Sequence, residues 1–515
     1  MLTVLDIAAT SLAVIFISGA IWKRRAAFAR LPPSPPADFL IGHARRLPVN
    51  TGWELYAKWK KIYGDVIYTY AFGQSIVILN SFVAARDMLE QKSWSFSDRP
   101  NAPVFYLMGW ELSLPILRYG PRFRKQRRMI QQYFGSQAVS SFKPMQERET
   151  HKFLHHLATT PDDFLNHMHT FVASVAVSAA YGHEVESCND EYLDLVEHTI
   201  RLTASLSNVG TSLIDVFPSL RHVPDWLPGM DMKKTALGIR EFVNKTMIIP
   251  LDELKAKRAS GISPTCFVSG LLDSYEKIGA VDHDYEEDIK NIGAVVYNAG
   301  SDTTKSVLAS FFLMMALHPE VAKKAQEEIE NVIGRDRLPA FDDRKQLPFI
   351  DCILKELYRI HPPLPLGVPH ASTRTEQYNG WSIPQGAIII PNIWQMMRDE
   401  VSFANPEEFR PERYLDEKMT GWASCGDPSN IVFGFGRRVC PGKYFADSTL
   451  WFAMANVLAL FDICPCTNAE TGDVELPKRE FETSVLMIQP KPFKCKITLR
   501  NGINAVGLLD EVFAA

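Results

Sequence analysis

A ten-residue segment near the C-terminus constrains the fold of this chain more than any other. It runs from Phe433 to Gly442 with the sequence FGFGRRVCPG, and its three glycines allow a tight turn and a close approach to a planar partner. Pro441 suits the first position of a helix, and an apolar run follows over 444–461. Because Cys440 would then lie at a helix N-terminus beside arginines, we expect a lowered pKa and a thiolate sulfur. The alternative is an ordinary buried cysteine.

Composition excludes several classes of protein. The chain has 515 residues, of which 46% are hydrophobic and 22% charged, as in folded globular proteins. A net charge of −4 without long runs of one sign gives no reason to expect nucleic acid as a partner. Eight cysteines in so long a chain do not form a disulfide framework, and the Cys464-Pro465-Cys466 pair lacks further ligands at the spacing of a metal site.

The N-terminal residues are expected to form a membrane anchor. Residues 7–22 carry no charge, and with residues 1–6 they are about long enough to cross a bilayer of about 30 Å. The basic residues Lys23, Arg24 and Arg25 follow, so the positive-inside rule puts the rest of the chain in the cytoplasm. A cleaved signal peptide would carry its positive charge before the apolar run. The alternative is a buried helix of the globular part.

We therefore divide the chain into a transmembrane anchor (1–22), a basic and proline-rich hinge (23–37) and one catalytic domain (38–515). The four prolines within 32–36 favour a stiff, extended hinge. No second linker or internal repeat follows. The predicted helices are 121–133, 193–206, 285–317, 319–333 and 349–360, and the predicted strands are 66–70, 75–79, 387–391 and 493–499. The fold class is mainly α, with small marginal β-sheets.

The centre of the longest predicted helix is a poor helix sequence. Residues 299–304 read AGSDTT, with a glycine and several side chains that compete for backbone hydrogen bonds. Small residues let a large, flat group approach the backbone, and a threonine hydroxyl can open the local hydrogen-bond ladder. A tolerated kink in a core helix is the alternative.

Four motifs in this chain resemble those of the cytochrome P-450 family, in the family's order. Phe433-x-x-Gly436-x-Arg438-x-Cys440-x-Gly442 resembles its haem-binding loop without a mismatch, and Ala299-Gly300-x-Asp302-Thr303-Thr304 resembles its oxygen-activating helix. Glu356-x-x-Arg359 and Pro411-Glu412-Arg413-Tyr414 resemble its K-helix pair and the segment that follows it. The resemblance covers essentially the whole chain and implies the cytochrome P-450 fold. Within the family, the chain resembles microsomal-type members from basidiomycete fungi.

The resemblance implies that the chain binds haem b with Cys440 as the axial ligand of the iron. A thiolate ligand pushes electron density onto haem iron and favours O–O cleavage. Phe433, Gly434, Gly436 and Gly442 would contact the haem, and its propionates would bind Arg127, His370 and Arg438. A purely structural role is the alternative for His370. The family usually has tryptophan where this chain has Phe123, and Arg124 is a candidate to replace the lost donor.

The resemblance also assigns the remaining motif residues. Asp302 and Thr303 would deliver protons on the distal side of the haem, a hydroxyl backed by a carboxylate being able to relay them through water. Glu356 and Arg359 share a helix face and would form a buried network with Arg413 that supports the haem loop. The alternative for this pair is an exposed ion pair that contributes less than about 1 kcal/mol.

Electrons are expected to come from another protein. Gly434-x-Gly436 continues into Arg-Arg-Val-Cys without the third glycine of a dinucleotide fingerprint. NADPH would therefore act through a separate NADPH-cytochrome P-450 reductase, with cytochrome b5 as a second candidate partner. The basic cluster that could steer such a partner is Arg122, Arg124, Lys125, Arg127 and Arg128. A solvated helix face with one propionate contact is the alternative.

The substrate pocket expected from the family's layout is mostly apolar. It comprises Phe105, Tyr106, Trp110, Tyr297, Asn298, Leu366, Val368, Val485 and Leu486. The expected function is a monooxygenase of the endoplasmic reticulum membrane that inserts one oxygen atom of O₂ into a lipophilic small molecule, in fungal secondary metabolism or xenobiotic oxidation. Alternatives are a haem-dependent isomerase or dehydratase of the same fold and a non-catalytic haem-binding protein.

Overall fold

The computed structural model describes residues 30–48, 51–185, 190–206, 213–278, 283–415, 427–468, 470–483, 487–502 and 507–508. The predicted anchor, residues 23–29 of the predicted hinge, and Val485 and Leu486 lie outside these ranges. Within them, none of the helices has the combination of length and apolar character that crossing a bilayer requires.

Helices make up most of the described chain. The α-helices are α1 (Gly52–Tyr63), α2 (Phe82–Ala85), α3 (Ser93–Phe96), α4 (Pro103–Leu107), α5 (Pro121–Phe134), α6 (Lys143–Thr159), α7 (Phe164–Tyr181), α8 (Glu191–Leu206), α9 (Leu213–Val216), α10 (Asp231–Ala259), α11 (Phe267–Ile278), α12 (His283–Leu317), α13 (Pro319–Val332), α14 (Pro348–Ile360), α15 (Ile393–Met396), α16 (Ser429–Val432) and α17 (Lys443–Leu460). The five predicted helices are confirmed as α5, α8, α12, α13 and α14, with ends that differ by at most two residues.

The β-strands are short and lie in small sheets. They are β1 (Val66–Ala71), β2 (Gln74–Leu79), β3 (His370–Ala371), β4 (Glu376–Tyr378), β5 (Trp381–Ile383), β6 (Ile388–Pro391), β7 (Phe461–Cys464), β8 (Cys466–Thr467), β9 (Val474–Glu475), β10 (Phe481–Thr483), β11 (Ile488–Pro490) and β12 (Lys496–Leu499). In the four-stranded sheet, with the order β1-β2-β6-β3, β1 pairs antiparallel with β2 and β2 pairs parallel with β6. The other sheets are pairs of strands. The sequence therefore predicts the helical class and the small sheets correctly.

Two long helices, α17 and the C-terminal half of α12, contribute many residues to the main core. Every residue of α17 from Thr449 to Leu460 is buried, as expected of a helix with no polar face. α12 has 35 residues and packs along α7. Its hydroxyl side chains bond back to its own carbonyls: Ser301 Oγ donates to Tyr297 O at 2.9 Å, and Ser310 Oγ donates to Ser306 O at 2.8 Å. The poor helix sequence therefore remains helical.

The described part of the predicted hinge lies against the first sheet. The carbonyl of Pro33 accepts a hydrogen bond from Tyr68 N at 2.9 Å, which lies on β1. The buried His43 ring donates from Nε2 to Pro35 O at 2.9 Å and accepts from Tyr70 N at 3.1 Å. Proline carbonyls remain free to accept because proline lacks only the donor. Residues 30–37 are thus an extended segment bound to the domain.

A buried ion network joins α14 to the segment that precedes the cysteine loop. Glu356 and Arg359 are fully buried, and both oxygens of Glu356 accept from the Arg359 guanidinium at 2.8 Å. Arg413 Nε also donates to Glu356, at 3.1 Å. Arg359 Nη1 donates to Pro406 O at 2.6 Å and to Met397 O at 3.0 Å. One carboxylate therefore fixes the course of an irregular segment of the chain.

Replacing Arg359 should destabilise the fold strongly. In Arg359→Ala, buried Glu356 loses its bidentate partner, and the expected loss is about 3–5 kcal/mol of unfolding free energy. The matched control is Lys355→Ala on the same helix, because its ion pair with Asp427 is partly exposed and should contribute at most about 1 kcal/mol. Urea unfolding of both variants measures the difference. Equal losses would contradict a special role for the buried network.

Candidate active site

A buried cavity lies between α12 and the loop that carries Cys440. One wall comes from a single face of α12, with Val296, Gly300, Thr303 and Val307 at helical spacing. The opposite wall contains Phe433, Gly434, Cys440, Pro441 and Gly442. Small side chains on one wall and glycines on the other leave a slot that fits a flat group.

The cysteine loop turns through two glycines in the left-handed region, Gly434 at φ 77° and Gly436 at φ 55°. A Cβ at Gly436 would approach Leu89 O to 2.2 Å, so no larger residue fits without moving the backbone. The turn is closed by Cys440 N, which donates to Phe433 O at 2.7 Å. Gly436 does not line the cavity, so the expected haem contact at this residue is replaced by a role in shaping the turn.

The Cys440 thiol differs from the sequence expectation. Burial raises its pKa, and this effect exceeds the lowering by the Gly442 N–H, Arg127 and Lys443. The expected lowered pKa is therefore wrong for the protein alone. One reason is that α17 begins only at Lys443, so the sulfur is not in the first helical turn. The other is that Arg438 donates to backbone carbonyls instead.

Four basic side chains line the cavity. Arg438 donates to Ser97 O at 2.8 Å and to Leu117 O at 2.7 Å, and its guanidinium lies 3.7 Å from the centre of the Phe123 ring. Arg99 donates to Pro115 O at 2.7 Å and to Val368 O at 2.9 Å. Arg127 Nη1 and His370 Nδ1 also bind carbonyls, those of Val439 and Phe96. The sequence predicted three of these four at the cavity.

No carboxylate lines this cavity among the described residues. Asp98, the acid beside Arg99, instead accepts from Arg118 Nε at 3.0 Å. Burial lowers the pKa of Arg438 to about 10 and that of Arg99 well below its ordinary value, and it keeps His370 neutral by lowering its pKa. Because uncompensated buried charge is costly, this end of the cavity fits a dianionic group. A flat apolar body with two carboxylates, as in haem, matches both the slot and the charge.

Arg99 is the functional residue that sequence reasoning missed. Arg124, the expected substitute for the donor lost at Phe123, is exposed, and its guanidinium stacks over Tyr119 at 5.8 Å outside the cavity. Arg99 lies in the cavity wall instead. A charged Asp98-Arg99 pair within the aromatic and apolar stretch 94–107 was the available signal.

The two expected proton-delivery residues face different ways. Thr303 lines the cavity, and its hydroxyl donates to Ala299 O at 2.8 Å. Asp302 does not line it and pairs with Lys305 at 3.5 Å. Successive residues of a helix point about 100° apart, so neighbours in sequence do not share a face. Thr303 therefore faces the cavity directly, whereas Asp302 lies on another side of the helix.

Most of the expected substrate contacts lie elsewhere. Val368 lines the cavity, but the other described candidates do not: Phe105, Tyr106, Trp110, Tyr297, Asn298 and Leu366. Phe105, Tyr106 and Trp110 pack against α10, Tyr297 packs on Tyr192, Asn298 Nδ2 donates to Ala294 O, and Leu366 packs near β1 and β2. Leu364, in the predicted segment 364–368, also lines the cavity, and the apolar residues that were not predicted there are Leu114, Ile130, Val295 and Ile393.

The basic cluster on α5 is largely neutralised. Arg122 and Lys125 both pair with the buried Asp288 on α12, at 2.6 and 3.1 Å, and Arg127 faces the cavity. Only Arg124 and Arg128 are exposed. The five cations therefore do not form the single docking patch that the sequence suggested.

Comparison with known proteins places these features in a family. The Cytochrome P-450 family model matches residues 32–497. Similar curated proteins include cytochrome P-450 monooxygenase 176 of Postia placenta, 37% identical over 92% of this chain and 90% of that protein. Cytochrome P-450 monooxygenase claR of Ampulloclitocybe clavipes is 36% identical over 92% of this chain and 87% of its own length. The ple1 monooxygenase of Rhodocybe pseudopiperita is 37% identical, with 92% and 90% covered.

Removing Arg99 should loosen haem binding. A charge-assisted hydrogen bond contributes about 1.5–3 kcal/mol, so Arg99→Leu should release haem roughly tenfold faster or more. The rate of haem transfer to an excess of an acceptor protein measures this. Arg124→Leu is the control, because its side chain is outside the cavity. Equal rates of haem loss from both variants would remove Arg99 from the site.

Proposed function

The chain belongs to the cytochrome P-450 family and is a haem monooxygenase, and from this premise we propose that it oxidises a neutral, lipophilic small molecule with electrons from NADPH. The overall reaction is RH + O₂ + 2 e⁻ + 2 H⁺ → ROH + H₂O. The observation that carries this proposal is the cavity itself. It combines a cysteine in one wall, a basic end without a carboxylate and an otherwise apolar lining.

We assign iron coordination to Cys440. When bound, haem supplies the reductive activation of O₂ and the oxidising power for the C–H bond. A thiol loses its proton outright when it coordinates a metal, so the raised pKa of the Cys440 thiol does not oppose this role. Arg99, Arg127 and Arg438 would bind the propionates, and His370 would contribute one neutral donor.

Thr303 is the candidate for proton handling inside the cavity. Its hydroxyl now donates to Ala299 O and can turn to donate into the cavity after a rotation about one bond. Asp302 pairs with Lys305 on another side of α12. It would therefore supply protons to Thr303 indirectly, without contacting the Thr303 hydroxyl. The proton held at Thr303 Oγ1 would be replaced through water.

The lining favours an apolar substrate. Val295, Val296 and Val368 present only hydrocarbon, and Ala299 and Gly300 leave room beside the backbone. Burying a charged substrate here would require a partner that the apolar wall lacks. A role in fungal secondary metabolism or xenobiotic oxidation is part of this proposal, and the names of the relatives give no substrate.

An acidic electron-transfer partner fits the exposed surface near the cysteine loop. Tyr119 lies between the guanidinium groups of Arg124 and Arg437, at 5.8 and 5.4 Å from its ring centre. With exposed Arg128, this surface carries positive charge that is not paired inward. We assign it to NADPH-cytochrome P-450 reductase, with cytochrome b5 as a second candidate, and the predicted anchor would hold both proteins on the endoplasmic reticulum membrane.

A reduced-CO difference spectrum tests the central assignment. The intact protein should absorb at about 450 nm, as thiolate ligation implies, and Cys440→Ser should lose this band. Cys352→Ser, which changes a buried cysteine away from the cavity, is the control. A band at about 420 nm from intact protein would contradict the assignment. Product formed without NADPH would favour the isomerase or dehydratase alternative.

Thr303→Ala should separate oxygen consumption from product formation. The variant keeps haem but loses the hydroxyl in the cavity, so reducing equivalents should be diverted to peroxide, with coupling expected to fall roughly tenfold or more. The ratio of product to NADPH consumed measures coupling. Thr304→Ala removes a neighbouring cavity hydroxyl and should change the ratio less. Unchanged coupling in Thr303→Ala would exclude this role.

A further inference from the structure

Helix α5 presents two surfaces that the proposed function uses. The face that lines the cavity carries Phe123, Arg127 and Ile130 at helical spacing. Another face, with Arg124 and Arg128, is exposed. Because the side chains of one helix turn together, a rotation of α5 about its own axis would turn Arg127 away from the cavity. The direction of Arg127 therefore depends on whatever fixes the rotation of this helix.

The third face of α5 is held by one carboxylate of α12. Asp288 is fully buried, and its Oδ1 accepts from Arg122 Nε at 2.6 Å and from Gln126 Nε2 at 2.9 Å. Its Oδ2 lies 3.1 Å from Lys125 Nζ. These three residues of α5 share one face because they are three and four positions apart. In the part of the chain that the structure describes, the hydrogen-bond and ion-pair partners of this carboxylate all lie on α5.

These contacts resist a rotation of α5. A buried carboxylate that loses its partners is strongly destabilising, so the helix cannot turn without a large cost. Helix α12 adds a second contact on the same face, since the Lys125 ammonium lies 4.8 Å from the centre of the Tyr285 ring. On the cavity side, Arg127 Nη1 donates to Val439 O at 2.6 Å, next to Cys440. Helix α5 is thus attached to α12 on one face and to the cysteine loop on another.

We infer that Asp288 is a positioning residue, which sets the rotation of α5 and so directs Arg127 toward the haem propionates. The inference rests on the proposed function, in which Arg127 binds a propionate. Asp288 itself does not line the cavity. A direct effect of its charge would have the opposite sign, because a negative charge nearby disfavours a dianionic cofactor. Removing that charge would then slow haem release, whereas loss of position makes haem release faster.

Haem release from the full-length, haem-loaded protein tests the inference. Asp288→Asn keeps the shape of the side chain and removes its charge. It should transfer haem to an excess of an acceptor protein roughly fivefold faster, as the partial loss of one charge-assisted hydrogen bond implies. Arg122→Gln, which removes a partner from the α5 side, should act in the same direction and replaces Asp288→Asn if that variant does not fold.

The matched control is Glu287→Gln, the neighbouring carboxylate on α12. Its partners Lys290 and Asn291 lie on α12 itself, at 2.9 and 3.3 Å, so its loss should leave the rate of haem release unchanged. Unchanged or slower release from Asp288→Asn, or an equal acceleration in Glu287→Gln, would overturn the inference.

A double-mutant cycle separates positioning from general destabilisation. Arg127→Leu alone should release haem roughly tenfold faster, and adding Asp288→Asn should change that rate by less than about twofold, because both changes remove the same contact. A merely structural role would accelerate release by the same factor in both backgrounds, which would overturn the inference. Faster release from Arg127→Leu but not from Asp288→Asn would overturn the inference alone. Unchanged release from Arg127→Leu would contradict the propionate contact in the proposed function, and the inference with it.

Discussion

The main site depends on buried positive charge that the protein itself does not neutralise. Arg99, Arg127 and Arg438 line one cavity, to which the described part of the chain contributes no carboxylate, and each donates to a backbone carbonyl. These carbonyls belong to segments far apart in sequence, at Ser97, Pro115, Val368 and Val439 among others. The same guanidinium groups therefore hold the walls together and leave N–H groups for a dianion. In a haem protein, the cofactor's propionates complete this arrangement.

Burial and metal coordination have opposite effects on the protonation of Cys440. The protein around the sulfur favours the thiol, because burial outweighs one backbone N–H and two nearby cations. A metal ion reverses that preference more strongly than side chains can. The loop around Cys440 fixes the position of the sulfur but does not supply enough positive charge to deprotonate it. Gly436 permits the turn against Leu89 O, and Phe433 O receives the Cys440 N–H.

The periodicity of α12 separates functions that are adjacent in the sequence. Thr303 and Gly300 face the main cavity, whereas Asp302 pairs with Lys305 and Tyr297 packs on Tyr192. One helix thus carries a cavity wall on one side and a packing surface on the other. The buried Glu356 network has a different role. It fixes an irregular segment of the chain, and none of Glu356, Arg359 and Arg413 lines the cavity.

Local patterns were enough to determine the helical class, the limits of the long helices and the cysteine loop, and the family resemblance added three of the four basic residues at the cavity. These features depend on residues close in sequence, such as the glycines around Cys440 or the three-residue spacing of Glu356 and Arg359. Only the tertiary structure decided which face each side chain presents and which distant group it meets. Arg99 reaches the site because its segment packs beside Val368, and Arg122 is neutralised because Asp288 lies beneath it on α12. Burial, which depends on all the packed elements together, also reversed the expected pKa shift of Cys440.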